Sequence, residues 1–370
     1  MRILILPNSM KGSLSARQTA RVLSRALEKK HTVKSFPLSD GGDGFIDFFK
    51  ALHPAARTVR LKAKNAFLKE AATSYLWLPK EKTAVLETAR ICGLGTAKKE
   101  ELDALGASSF GVGEVLRHAM KRGAKKIYVG LGGVACNDGG AGIARALGAR
   151  FLDSRGRELP NGAKPLLHLA RIETETLQQH IRGVKIYAVA DVTNPLLGPK
   201  GSARVFGPQK GATPAQVRTL EKALSVYARA VKKATGKDPA RTPSTAAAGA
   251  LCAGLYGLLD AQIILGADFL KDQLPLDKWA GKADLIITAE GKLDRQTLYG
   301  KAPLCVIEAA ARAGKPVLFV CGTYEDNALR KLPKNLHLTL VSLADFAKDK
   351  QDSIKNAAKY LRRICGKISF

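Results

Sequence analysis

The 370-residue chain reads as an α/β protein with parallel sheets, arranged in two domains. Three observations predict this. Short β-branched runs alternate with helical patterns along the whole length, as parallel architectures require. Glycine-rich turns follow several of those runs directly, where open α/β sheets place their ligand crevice. The length also exceeds what one compact core usually holds.

The elements follow in order. Met1–Pro7 is too short for a signal-peptide core and lacks a small-residue cleavage site, so Arg2–Leu6 is read as the first buried strand. Ser15 with Gln18 forms a capping box that opens a helix ending near Lys29. Further strands are expected at Thr32–Leu38, Ser74–Leu78, Lys125–Leu131, Val184–Asp191, Asp284–Thr288, Pro316–Cys321 and Leu336–Val341. Thr213-Pro-Ala-Gln216 supplies a cap, a proline at the first helical position and a glutamine three on. The apolar face then runs Val217, Leu220, Leu224, Tyr227, Val231, and Gly236 ends that helix. Lys237–Thr245 is a loop by its Pro and Ser content, and Ala246–Leu255 follows it as a tightly packed helix. The expected layout is a Rossmann-like three-layer α/β/α domain from residues 1–50 and 283–370, with a second α/β domain, 51–282, inserted.

Composition bounds the partners. Hydrophobic residues make up 46% of the chain, and no apolar run reaches the roughly 18–20 residues of a membrane span. A membrane partner is therefore not expected. The six cysteines (Cys92, Cys136, Cys252, Cys305, Cys321, Cys365) show neither a C-x-x-C pair nor Cys/His ligand spacing. That predicts a reducing, cytoplasmic location without structural zinc. Lys and Arg outnumber Asp and Glu 60 to 32, a net charge of +28, which raises the local concentration of anionic ligands. The cations are scattered as singles and pairs, and the aromatics do not interleave with them as in single-strand binders. Nucleic acid is not an expected partner despite the charge. The six histidines show no pairing and receive no catalytic role. The oligomeric state stays open between monomer and homodimer.

Five segments carry the chemistry. They are Pro7-Asn-Ser-Met-Lys-Gly-Ser-Leu-Ser15, Pro37-Leu-Ser-Asp-Gly-Gly-Asp-Gly44 and Leu131-Gly-Gly-Val-Ala-Cys-Asn-Asp-Gly-Gly-Ala-Gly142. The fourth is Ala190-Asp-Val-Thr-Asn-Pro-Leu196, followed by Phe206-Gly-Pro-Gln-Lys-Gly-Ala212. The fifth is Thr288-Ala-Glu-Gly-Lys-Leu-Asp-Arg-Gln-Thr297 with Gly300-Lys-Ala-Pro303. Glycine lets backbone N–H groups approach a charged ligand at a helix N-terminus, so these turns suit a phosphate or another small anion. The G-x-x-x-x-G-K-[ST] phosphate loop and the strict G-x-G-x-x-G fingerprint are both absent.

In these motifs the chain resembles the first family of glycerate kinases, the bacterial type that phosphorylates glycerate with ATP. That family shows P-D-S-F-K-G-S-L-S, L-A-D-G-G-E-G, G-L-G-G-S-A-T-N-D-G-G-A-G, A-D-V-T-N-P-L-x-G, F-G-P-Q-K-G-A and G-E-G-R-x-D-x-Q-T-x-x-G-K-A-P, and all six have counterparts here in the same order. Glu87-Thr-Ala with Gly93-Leu94, and Ser109-Phe-Gly-Val-Gly-Glu114, are similar to two further stretches. The resemblance implies ATP and Mg²⁺ as cofactors and transfer to a hydroxyl of glycerate or a related small hydroxy acid, more often the 2-hydroxyl. Two rivals stand beside this reading: a catalytically weakened member acting as a small-molecule sensor, and a basic nucleic-acid-associated protein.

Phosphoryl transfer asks mainly for positioning, metal and cations around the developing charge. Asp191 and Asp294 are the candidate metal ligands or proton acceptors, since Mg²⁺ usually takes one or two carboxylates plus phosphates. They join Asn8 and Lys11 as the candidate catalytic residues. Substrate or nucleotide contacts are expected from Ser9, Asp40, Asp43, Gly132, Gly133, Asn137, Asp138, Asn194, Lys210, Glu290, Lys292, Arg295 and Gln296. Lys292 or Arg295 would hold a carboxylate, Arg being the better bidentate partner. Asn137 and Asp138 could instead hold the glycine turn, and Lys210 could simply belong to a loop. The chain also departs from the pattern. Asn8 stands for Asp, Val134 and Cys136 replace hydroxyl residues, and P-G-A-G-A-A-G-G has become Pro243-Ser-Thr-Ala-Ala-Ala-Gly-Ala250. Lost glycines there add Cβ atoms where a backbone could approach nucleotide.

Overall fold

The computed structural model describes residues 1–294, 301–325 and 336–366. Among the described residues thirteen strands follow in chain order: β1 (Arg2–Pro7), β2 (Thr32–Ser35), β3 (Arg57–Lys64), β4 (Glu70–Leu78), β5 (Thr83–Glu87), β6 (Lys126–Leu131) and β7 (Arg150–Leu152). Then come β8 (Arg171–Glu173), β9 (Lys185–Ala190), β10 (Gln262–Leu265), β11 (Leu285–Leu293), β12 (Val317–Tyr324) and β13 (Leu338–Ser342). The chain divides into two compact units, residues Met1–Leu52 with Leu265–Phe370, and His53–Ile264. Residues 265–282, placed in the insert by the expected layout, thus cluster with the first unit and carry the helices Gly266–Gln273 and Leu276–Lys282. Among the described residues no helix is long and apolar enough to cross a membrane.

The first unit is a five-stranded sheet of order β13-β12-β11-β1-β2, and its described pairings are parallel. Parallel strands covered on both faces read as continuous apolar runs, as Arg2–Pro7 does with five of its six residues buried. Ile3, Ile5, Ile287 and Val320 meet Leu23 and Leu27 of helix Ala16–Leu27 and Leu361 of helix Ala357–Gly366. Phe319 and Cys321 meet Ile307 of helix Ala302–Arg312. The Ser15 side chain accepts from the Gln18 N–H, and the glutamine returns the bond to the Ser15 N–H, so the expected capping box is present. Phe45, Phe48 and Phe49 pack with Phe269 at ring separations of 5.3 to 5.7 Å.

The second unit carries a six-stranded sheet, β10-β9-β6-β5-β4-β3, and a small β7-β8 hairpin. Strands β5, β6 and β9 run parallel, while β3, β4 and β5 pair antiparallel. Helix Pro214–Thr235 has the predicted capping box and ends on Gly236 at φ 78°. Leu220, Leu224, Tyr227 and Val231 form its buried face.

The Ala246–Leu255 run differs from expectation. Ala248, Gly249 and Ala250 take left-handed backbone angles (φ 53°, 64° and 65°), so the regular helix starts only after them. Strand β11 also runs five residues past its expected end, pairing Lys292 with Thr323 and Leu293 with Tyr324. Glycine explains this. A Cβ on Gly322 would lie 2.5 Å from the Gly291 carbonyl oxygen, so paired glycines let the two strands continue at close approach.

Candidate active site

In the first unit, the loop after β2 follows the end of β1, with the Leu38 N–H donating to the Pro7 carbonyl (2.8 Å). This brings Asp40 beside Asn8. Asp40 Oδ2 accepts from Asn8 Nδ2 (3.2 Å) and from the Ala302 N–H (3.3 Å). Ala302 opens helix Ala302–Arg312, so the carboxylate satisfies an otherwise orphan donor at the positive end of the helix. Asn8 Oδ1 accepts the Ser9 N–H (2.8 Å), and the Asn8 N–H donates to Ala289 on β11 (2.8 Å). Both Asn8 and Asp40 are buried. A Cβ on Gly266 would collide with the Asp40 backbone, so this glycine lets its helix close over the loop.

Other predicted residues of this unit lie at the carboxyl end of β11 or in the loops after β1 and β2. Glu290 is buried, Asp294 half-buried just past the strand, and Lys11 and Asp43 exposed. Lys292 is exposed and pairs with Glu325 at 2.6 Å, a bond that raises its pKa. Asp43 lends its backbone carbonyl to the Ser39 hydroxyl (3.5 Å). Arg295 and Gln296 lie outside the described residues.

In the second unit, the carboxyl ends of β5, β6 and β9 carry Glu87 with Thr88, Gly132 with Gly133, and Asp191. The Thr88 hydroxyl donates to the Gly130 carbonyl (2.9 Å) and accepts from the Gly132 N–H (3.3 Å). The Leu94 N–H donates to Gly133 (2.6 Å) and the Ala135 N–H to Cys92 (2.9 Å). Gly132 and Gly133 are the accessible part of the turn, Gly133 with φ 58°. Asp191 is half-buried at the end of β9. The Asn194 side-chain amide donates to the Lys200 carbonyl (2.8 Å) while the Asn194 backbone carbonyl accepts from the Ala246 N–H (3.3 Å), which ties its loop to the left-handed turn.

Three expected ligand contacts are placed inside the fold instead. Asp138 is fully buried, its Oδ2 accepting from the Ser109 N–H (2.7 Å), the Ser109 hydroxyl (2.9 Å), the Ser108 hydroxyl (3.2 Å) and the Gly142 N–H (3.2 Å). Its Oδ1 accepts from the Gly140 N–H (3.2 Å). This carboxylate joins the N-terminal ends of helices Phe110–Lys121 and Ala141–Ala146, the turn-holding role that an Asx residue can take. Asn137 is likewise buried and donates to Ala104 (3.1 Å). Lys210, expected to reach a phosphate, is 2% exposed and donates to the Cys136 carbonyl (2.7 Å) and to Asn137 Oδ1 (2.9 Å). Burial pulls its pKa down to about 8.

Glu87 and Thr88, in the stretch Glu87-Thr-Ala that is similar to the family, are not among the expected contacts because five-residue β5 is too short to show a period. Glu87 is a buried acid at a strand end, paired with Arg90 at 3.3 Å. An acid-hydroxyl pair closing an apolar run was the available signal. Among the described residues no three His, Cys, Asp or Glu side chains cluster as a metal site. That still suits magnesium, which keeps waters and phosphates and asks the protein for only one or two carboxylates.

Comparisons with known proteins bear on this arrangement. The glycerate kinase family model matches residues 3–369. A glycerate kinase from Halalkalibacterium halodurans is 37% identical over 325 residues, covering 87% of this chain and 85% of that protein. A glycerate 2-kinase from Escherichia coli (strain K12) is 35% identical, covering 88% and 86%. A crystal structure described as glycerate kinase 2 from Salmonella typhimurium LT2 superposes with a TM-score of 0.79 at 33% identity, covering 99% of this chain and 96% of that one. The chain is a kinase by this relationship and belongs to the glycerate kinase family.

Proposed function

We propose that the protein transfers a phosphoryl group from ATP to the 2-hydroxyl of glycerate, with Mg²⁺. The observation that carries this reading is the family match over residues 3–369, together with the position of its motifs at the carboxyl ends of parallel strands in each unit. The match with a relative named glycerate 2-kinase supports the 2-position.

The residues then divide by accessibility. The Gly132–Gly133 backbone and the exposed Lys11 suit phosphate oxygens. Asp40 holds Asn8 and Ala302 with one oxygen, and among the described residues Oδ1 accepts no hydrogen bond, which suits a substrate hydroxyl. Asp191 and Asp294, each half-buried at a strand end, are the carboxylates proposed for magnesium. When bound, the metal neutralises charge on the transferred group. Ser9, Asp43, Glu290 and Lys292 of the first unit and Asn194 of the second are proposed as further ligand contacts. We also propose that the two units are separate domains, the second inserted between Leu52 and Leu265, and that the protein works in the cytoplasm.

The test is ADP formation from ATP with D-glycerate, with and without magnesium, and the product's phosphate position by phosphorus NMR. No turnover with D-glycerate in the presence of Mg-ATP overturns the reading. Product on the 3-hydroxyl corrects its finer half.

A further inference from the structure

Lys210 ends a short 3-10 turn, Pro208–Lys210, and points its ammonium inward. Two oxygens receive it, the Cys136 carbonyl and Asn137 Oδ1, and Asn137 is anchored in turn on Ala104. Backbone closes another side. Gly249 sits in the left-handed turn, and a Cβ there would collide with both the Cys136 oxygen and Lys210 Nζ. No carboxylate hydrogen-bonds to Lys210 among the described residues; two oxygen dipoles hold the ammonium directly, and the nearby Asp138 carboxylate acts on it only through its charge. Burying an ammonium with no carboxylate in hydrogen-bond contact is normally penalised, and a neutral amide could tie the same two oxygens. The charge therefore points to a use beyond packing. The accessible Gly132–Gly133 segment belongs to the same turn, three residues before Cys136.

We propose that Lys210 is a positioning residue, whose ammonium clamps the closed end of the 132–137 turn and so holds the Gly132–Gly133 backbone for the transferred phosphoryl group. This rests on the kinase reading. The titratable groups facing the ammonium are the Cys136 and Cys92 thiols and the Asp138 carboxylate. The hydrogen bond with Cys92 and burial push the Cys136 thiol well up. Burial pulls Lys210 down to about 8, so its charge is lost as the solution turns alkaline. A neutral amine donates weaker bonds than an ammonium, and the clamp loosens.

The test follows kcat and KM for glycerate-dependent ADP formation from about pH 6.5 to about pH 9.5 in the wild type and Lys210→Met. Amide hydrogen exchange across residues 132–137 is measured beside it at matched pH. Wild-type kcat is expected to fall about fivefold or more through a break near pH 8, with KM changing less than about twofold. The variant is expected to start roughly tenfold lower, to show no such break, and to exchange these amides about tenfold faster. Lys210→Gln keeps a neutral donor, serves where the Met variant does not fold, and should also lose the break. A break that persists in either variant, or unchanged exchange, overturns the proposal. A wild type without glycerate-dependent turnover overturns the kinase reading instead, and exchange then decides the clamp alone.

Discussion

Asn8 donates its side-chain amide to Asp40 Oδ2 across 3.2 Å, and both side chains are buried. An aspartate at position 8, as the family pattern has it, would set two carboxylates against each other. Such a pair cannot ionise fully, and one member takes up a proton or a cation. Asn8→Asp should therefore lower stability at pH 7 by about 1–3 kcal/mol. The pair would bind a proton more readily in the folded state than unfolded, so the deficit should shrink as pH falls toward about 5, or on adding magnesium. Urea midpoints at both pH values, with and without the metal, check this. Equal midpoints throughout would mean the two side chains do not meet.

Ser244 and Ala250 occupy left-handed backbone at φ 68° and 65°, two positions where the family pattern carries glycine. A left-handed residue with a Cβ is strained by roughly 1–2 kcal/mol, of which the flexibility of glycine in the unfolded chain returns about 0.5–1. Ser244→Gly and Ala250→Gly should each stabilise by up to about 1 kcal/mol, seen as a rise in Tm. Gly249→Ala should do the reverse and more strongly, by more than about 3 kcal/mol, because its Cβ meets the Cys136 oxygen as well as strained backbone. A melting temperature for Gly249→Ala within a degree of wild type would refute the close approach.

Most of the first unit was legible because its strands are short apolar runs ended by glycine turns, and local signals suffice for those. The capping boxes at Ser15 and Thr213 were equally visible, since each needs only two residues at fixed spacing. Strand β3 escaped. Arg57–Lys64 alternates charged residues with Val59, Leu61 and Ala63 on an edge strand, and no continuous apolar run marks it. The burial of polar residues around the candidate site is less legible for a physical reason. Asp138, Asn137 and Lys210 look like ligand groups in a sequence, but whether a polar side chain turns outward or satisfies distant buried donors depends on tertiary contacts. Ser108 and Ser109, which hold Asp138, lie about thirty residues away from it. The left-handed turn at 248–250 was hidden because alanine favours helix, and packing overrides that preference.

The buried Asp138 carboxylate gathers five donors from two helix N-termini. Asp138→Asn keeps the shape but turns an amide donor toward N–H and hydroxyl donors, leaving at least one of them unpaired. The expected loss is about 2–4 kcal/mol, larger than for Ser109→Ala, which removes one of the donor groups. Urea unfolding of both variants checks the order. A ligand role for Asp138 would instead leave stability nearly unchanged while raising KM for glycerate or nucleotide.

Lys210 also makes a prediction about stability that runs opposite to its proposed effect on kcat. Its folded pKa of about 8 lies below the ordinary 10.5, so the unfolded state binds the proton more tightly between those values. Stability contributed by this group is therefore lowest below pH 8 and rises with pH up to the unfolded value, by about 3 kcal/mol in all. The wild-type curve alone will not show it. Burial pushes the Cys252, Cys305 and Cys321 thiols up to about 12, and such groups lose stability as pH rises past the ordinary thiol range. The difference between wild type and Lys210→Met cancels the thiols. That difference should grow in favour of wild type by on the order of 1 kcal/mol per pH unit between about 8 and 10. A flat difference, measured by urea unfolding under reducing conditions, would show that Lys210 is solvated rather than buried against Cys136 and Asn137.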